Sequence, residues 1–248
     1  VLQLPLQSFY WFGPFAFFAT LCSYNFHWWL TPNHQMEALR SHWTQNHRSL
    51  HLLFFGIGLS LALVFCWKEQ QHWIHLAPAL VLTFLYTAPK IDWKLFVRLR
   101  KLAIGKTMYL ASVWTYVTVL LPILISEQPP SLTIALFVAE KFFFLLALCM
   151  LFDWRDQKQD QQQSIRSMAT LLPPNQLRLL FQLSLYVSIG LSLFSSSIGA
   201  ALTNSLPAIA TLLLLPFAWK SSSDYLYYGL LDGLMGVSGC LYFCQKML

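Results

Sequence analysis

Long apolar runs separated by short polar breaks fill this chain, and their length sets the first expectation. A helix needs about 20 predominantly apolar residues to cross about 30 Å of hydrocarbon. Eight runs approach that length: 9–30, 50–67, 73–89, 107–126, 131–152, 177–195, 198–217 and 225–244. Pro122, Pro207 and Pro216 fall inside or near the ends of runs, where a missing N–H kinks or ends a helix. The pattern predicts an all-α polytopic transmembrane helix bundle, one domain over residues 1–248.

Composition agrees. Of the 248 residues, 56% are hydrophobic, 16% aromatic and only 10% charged, where a water-soluble domain carries roughly a quarter charged residues. The five cysteines, Cys22, Cys66, Cys149, Cys240 and Cys244, lie in or beside apolar runs without a C-x-x-C pair, so buried single thiols are expected.

Charge gives an orientation. With eight spans, the loops 31–49, 90–106, 153–178 and 218–224 share one side and hold 13 of the 16 Lys and Arg residues. Lys68 and Lys246 fall opposite, and Lys141 lies inside a run. The positive-inside rule makes the basic side cytoplasmic, and a bacterial inner membrane is the expected location. The net charge of +6 needs no nucleic-acid partner, because loops beside anionic lipid favour Lys and Arg.

The candidate chemistry is at "LFDWRDQKQDQQQSIRS", where the fifth run stops at Asp153, Asp156 and Asp160. If the helix continues past Phe152, at about 100° per residue the three carboxylates share a stripe about 60° wide. Three like charges on one stripe repel unless a cation sits among them. Mg²⁺ takes one or two carboxylates and completes its shell with water and phosphate oxygens. The competing expectation is a solvated helix end whose aspartates meet Arg155, Lys158 and Arg166.

The segment "FDWRDQKQDQQQSIRSMATLLP" resembles the second aspartate-rich motif of the UbiA-type intramembrane prenyltransferases. Asp153, Arg155, Asp156 and Asp160 match, with Ile165 and Arg166 following and Ser164 where that family usually has glycine. Tyr86 and Lys90 in "FLYTAPK" resemble the family's Tyr/Lys element, with Lys94, Arg98, Arg100, Lys101 and Lys106 beyond. The motifs end runs one, three and five, which fits a nine-helix UbiA-like fold whose first helix is absent from this chain or precedes Val1. The resemblance implies transfer of a prenyl group from a prenyl diphosphate to a lipophilic acceptor. Asp153, Asp156 and Asp160 would hold Mg²⁺; Lys90 and Arg155 would neutralise the leaving diphosphate. Tyr86, Lys90, Asn25 and Arg166 are the implied substrate-binding residues.

The first aspartate motif of that family departs from its pattern here. With Asn25 at the Asn position, Phe26, Trp29 and Asn33 stand where carboxylates are expected, and none carries negative charge. Half of a two-metal clamp is thereby lost, together with electrostatic help to ionisation. Three readings follow: a one-metal enzyme using His27, His34 or Arg40, a binder of a prenyl or quinone-like lipid, or a non-catalytic UbiA-fold subunit of a larger membrane complex.

Other residues carry weaker expectations. His27, His34, His42, His47 and His51 gather early, with His47 and His51 at i, i+4 spacing; interfacial hydrogen bonding is expected over a haem or metal site. Glu140, Lys141 and Asp232 lie inside runs and are expected to form an interhelical pair, Lys141 with Asp232 for instance. Gly229 and Gly233 offer small-residue spacing for close helix contact. Trp114, Tyr116, Phe142, Phe143 and Phe144 either pack the core or line a prenyl tunnel. An internal repeat of the kind transporters show is not evident.

Overall fold

The computed structural model describes residues 10–30, 43–44, 46–87, 105–162, 166–195, 197–221 and 223–247. Among them every regular element is helical, as the run pattern predicts. In chain order these are α1 (Phe12–Trp29), α2 (Arg48–Lys68), a turn of 3₁₀ helix (Gln70–His72), α3 (Trp73–Thr87) and α4 (Gly105–Thr115). A π stretch (Tyr116–Leu120) leads into α5 (Leu121–Ile125), then α6 (Leu132–Gln162), the short α7 (Met168–Leu171), α8 (Pro174–Ser192) and α9 (Ile198–Ala218). A second π stretch (Tyr225–Leu231) leads into α10 (Asp232–Met247).

Among the described residues four helical segments are long and apolar enough to cross a membrane: Arg48–Lys68, Lys106–Ile125, Leu132–Lys158 and Ile198–Ala218. The other four runs are helical too, with differences that explain why they fall short. Helix α3 has only 15 residues and an internal Pro78. Helix α8 opens on Asn175, Gln176 and Arg178 and carries Gln182 and three buried serines.

Proline shapes the rest. Pro122 has no N–H to give the carbonyl one turn earlier, and the π stretch Tyr116–Leu120 lies across that turn. Pro207 sits inside α9, where Thr203 and Thr211 hydroxyls donate to the carbonyls of Gly199 and Pro207 at 2.8 Å each. These bonds keep the two hydroxyls satisfied within the helix itself.

The helices gather into two compact units. In the first, α1 lies along α2. Phe18 stacks on Phe65 with ring centroids 5.7 Å apart and Phe26 on Phe55 at 5.0 Å. The closest approach is at Gly58: a Cβ there would stand 2.7 Å from the Cys22 backbone nitrogen and 3.0 Å from the Phe18 carbonyl oxygen. Arg48 covers the end of α1, donating from Nη2 and Nε to the Trp29 carbonyl at 2.9 and 3.2 Å. A cation is favoured there by the helix dipole.

In the second unit α6 is the central element, packed on α4 and α8. Ala147, Leu148 and Leu151 of α6 meet Leu177, Phe181 and Leu185, which repeat every fourth residue of α8 and are fully buried. Tyr227 closes the far end, its hydroxyl donating to the Ala218 carbonyl at 2.8 Å. Phe144 belongs to this core and Phe142 and Phe143 pack against it. Among the described residues the expected Gly229/Gly233 contact is absent, since none of them lies within 4 Å of a Cβ built at either glycine. The cysteines also differ from expectation in part: all five are free, and Cys66 and Cys149 are buried, but Cys240 and Cys244 are exposed.

Candidate functional site

Helix α6 does continue past the apolar run. Its 31 residues make it about 46 Å long at about 1.5 Å per residue, well beyond a hydrocarbon core of about 30 Å. Its last turns, Asp153 to Gln162, are therefore the part free to be polar.

The three aspartates do not act as one group. Asp153 and Asp160, seven residues apart, return to nearly the same face, and both are buried. They face α4, where Lys106 Nζ reaches both oxygens of Asp160 at 2.8 and 3.0 Å and lies 3.5 Å from Asp153. The Thr107 hydroxyl donates to the other Asp153 oxygen and accepts from the Met168 N–H at 3.3 Å. That one hydroxyl thus ties α4, α6 and the start of α7 together. Gln157 adds a bond to the Ala169 carbonyl at 2.6 Å, and at the start of α7 the Ser167 N–H donates to the Thr170 hydroxyl at 2.9 Å.

Asp156, about 60° round the helix from Asp153, leaves this face. Arg155 takes both of its oxygens, at 2.8 and 3.2 Å, and donates to the Tyr228 hydroxyl at 2.6 Å. The same guanidinium lies over Tyr228 at 4.4 Å, Tyr227 at 5.0 Å and Phe152 at 5.3 Å, with Asp224 3.8 Å away. This is a planar cation that meets a carboxylate and a phenol at its edge through Nε and Nη2 and rings on its faces, while Nη1 is buried without a hydrogen bond. Of the implied catalytic set, then, Asp153 and Asp160 are brought together, while Asp156 and Arg155 pair with each other.

The other candidate residues lie elsewhere. Arg166 is exposed beyond the helix end. Lys90 lies outside the described residues. Tyr86, in the first unit, stacks on His27 with centroids 5.4 Å apart. Asn25 is engaged between helices: its Nδ2 donates to the Leu21 carbonyl at 2.8 Å, and its Oδ1 is 2.8 Å from His51 Nδ1.

The donors do not fit a Mg²⁺ site as placed. Lys106 stands between Asp153 and Asp160, Arg155 covers Asp156, and among the described residues no three His, Cys, Asp or Glu side chains form a metal-holding group. What the arrangement does chemically is pair the carboxylates with the chain's own cations, one lysine being shared by the two buried aspartates. Lys106 was visible in the sequence as one of six basic residues in its loop, but nothing there distinguished it from its neighbours. Thr107 and Tyr228 carried no signal at all.

A second polar group lies deeper in α6. Glu140 is 1% exposed, with Lys141 Nζ 3.2 Å from its Oε1 and Ser188 of α8 donating at 3.5 Å. Lys141 also donates to Ser238 of α10 at 3.3 Å. The interhelical partner of Lys141 is therefore a serine, and its carboxylate is the neighbouring Glu140 rather than Asp232. Between α2 and α3, the Glu69 carboxyl is buried 3.8 Å from His72, and that burial pushes its pKa upward against the pull of the imidazole.

Comparison with protein-family models, with curated proteins and with solved structures finds no match for this chain.

Proposed function

We propose that this chain is a non-catalytic, UbiA-like multi-pass membrane protein working within a larger membrane assembly, its aspartate-rich helix end serving as an ion-pair brace. One observation carries the reading: each of the three carboxylates is already matched by a cation of the same chain, Asp153 and Asp160 by Lys106 and Asp156 by Arg155. The missing carboxylates of the first motif support it, since Phe26 and Trp29 offer no charge to a second metal. In this reading all eight apolar runs span the membrane. The braced end faces the cytoplasm, on the side holding most of the Lys and Arg, in a bacterial inner membrane.

Prenyl transfer from a prenyl diphosphate is the second reading. It is favoured by the spacing of Asp153, Arg155, Asp156 and Asp160, and by a positive charge held between two buried carboxylates at a membrane-proximal helix end. One experiment separates the two. Purified protein is incubated with Mg²⁺ and radiolabelled prenyl diphosphates of several chain lengths, beside Asp156→Ala, and the particle extracted from native membranes is sized. The brace predicts no diphosphate release from either protein and a particle larger than one chain. Release by the wild type that Asp156→Ala abolishes establishes the enzyme instead.

A further inference from the structure

The start of α2 carries a feature that neither reading uses. His47 and His51 are one helical turn apart, the spacing at which two side chains share a face. Each has its Nδ1 held by an oxygen at 2.8 Å: His47 by the Trp43 backbone carbonyl, His51 by Asn25 Oδ1. A backbone carbonyl only accepts, so His47 Nδ1 carries the proton. The Asn25 amide is oriented by its Nδ2 donating to the Leu21 carbonyl, so Oδ1 is the acceptor and His51 Nδ1 also carries the proton. Both neutral rings therefore present the Nε2 lone pair, and His51 Nε2 is buried with no hydrogen-bond partner.

Both rings also pack on one indole. His47 stacks on Trp43 at 4.4 Å between centroids, and His51 meets it edge-on at 6.0 Å. Arg48, the intervening cation, is turned away to the Trp29 carbonyl.

Metal-ligating histidines show this preparation: Nδ1–H is fixed by an oxygen acceptor, which sets tautomer and ring orientation and leaves Nε2 to the metal. His47, the N-cap residue, and His51, four residues on within α2, bring such a pair to the start of the helix. From this geometry we propose that His47 and His51 form a two-imidazole site for a divalent transition-metal ion, with Asn25 of α1 as the residue that positions His51. Among the described residues no third His, Cys, Asp or Glu joins them. Cu²⁺ binds a given nitrogen site most tightly of the first-row divalent ions and is the ion with which the site is tested. The proposal is independent of the function proposed above.

The test titrates Cu²⁺ into the intact protein in lipid nanodiscs and reads electron paramagnetic resonance with pulsed detection of imidazole nitrogens. One tight Cu²⁺ per chain with two coordinated imidazoles is expected. His47→Ala and His51→Ala should each leave one imidazole and weaken binding at least tenfold. Asn25→Ala should retain two imidazoles while weakening binding by about tenfold, the usual effect of losing an outer partner. If His51→Ala does not fold, His47→Ala, whose ring is only half-buried, decides alone. Stoichiometric binding unchanged in His47→Ala, or no tight binding in the wild type, overturns the proposal.

Discussion

Lys106 is the residue on which the aspartate end depends. A buried carboxylate pair left without its cation is destabilised, and breaking such a pair by removing one partner costs about 3–5 kcal/mol. Lys106→Met is therefore expected to lower the unfolding temperature in detergent markedly. Adding Asp153→Asn and Asp160→Asn to it should recover much of the loss, which thermal scans of the single and triple variants check. Glu69 gives the reverse case. Its folded-state pKa lies above its unfolded one, so its contribution is full below the ordinary carboxylate range and is lost as pH rises through the folded value. Stability is expected to fall over that window, and Glu69→Gln to flatten the fall and raise stability at neutral pH. Melting curves taken from pH 4 upward in both proteins decide it, and an unchanged slope in the variant removes Glu69 as its source.

The helices themselves followed from the run pattern, and their contacts turn on small features of individual faces. Gly58 is the clearest. A methyl group at that position meets the backbone of Cys22 and Phe18, which cannot rotate aside as a side chain can. Gly58→Ala is expected to push α1 from α2 at a cost of about 1–3 kcal/mol, the range for overpacking a tight contact. Gly56→Ala on the same helix has nothing within 4 Å of the added carbon and should be near neutral. Loss of stability in Gly56→Ala equal to that in Gly58→Ala argues against the close approach. Sequence alone favoured Gly229 and Gly233 for this role, because small-residue spacing was legible there while the rotation of α2 against α1 was not.

The proposed membrane topology makes its own prediction for the whole chain. On a cysteine-free background, Lys158→Cys near the braced end should resist a membrane-impermeant maleimide added to intact cells and react after permeabilisation. A cysteine at Gln71, between α2 and α3, should react from outside. Equal labelling of both from outside overturns the orientation.

The amino-acid sequence by itself determined the apolar runs that the described residues form as helices, and the clustering of acidic residues where the fifth run stops. Those features depend on local periodicity and on where charge is permitted relative to hydrocarbon, both of which are written along the chain. Only the tertiary structure decided which charges meet. Lys106 and Asp160 are 54 residues apart, Arg155 and Tyr228 are 73 apart, and Asn25 and His51 are 26 apart. Such pairings are set by how helices rotate and slide against one another, and that depends on the packed faces of the helices together, such as the contact at Gly58.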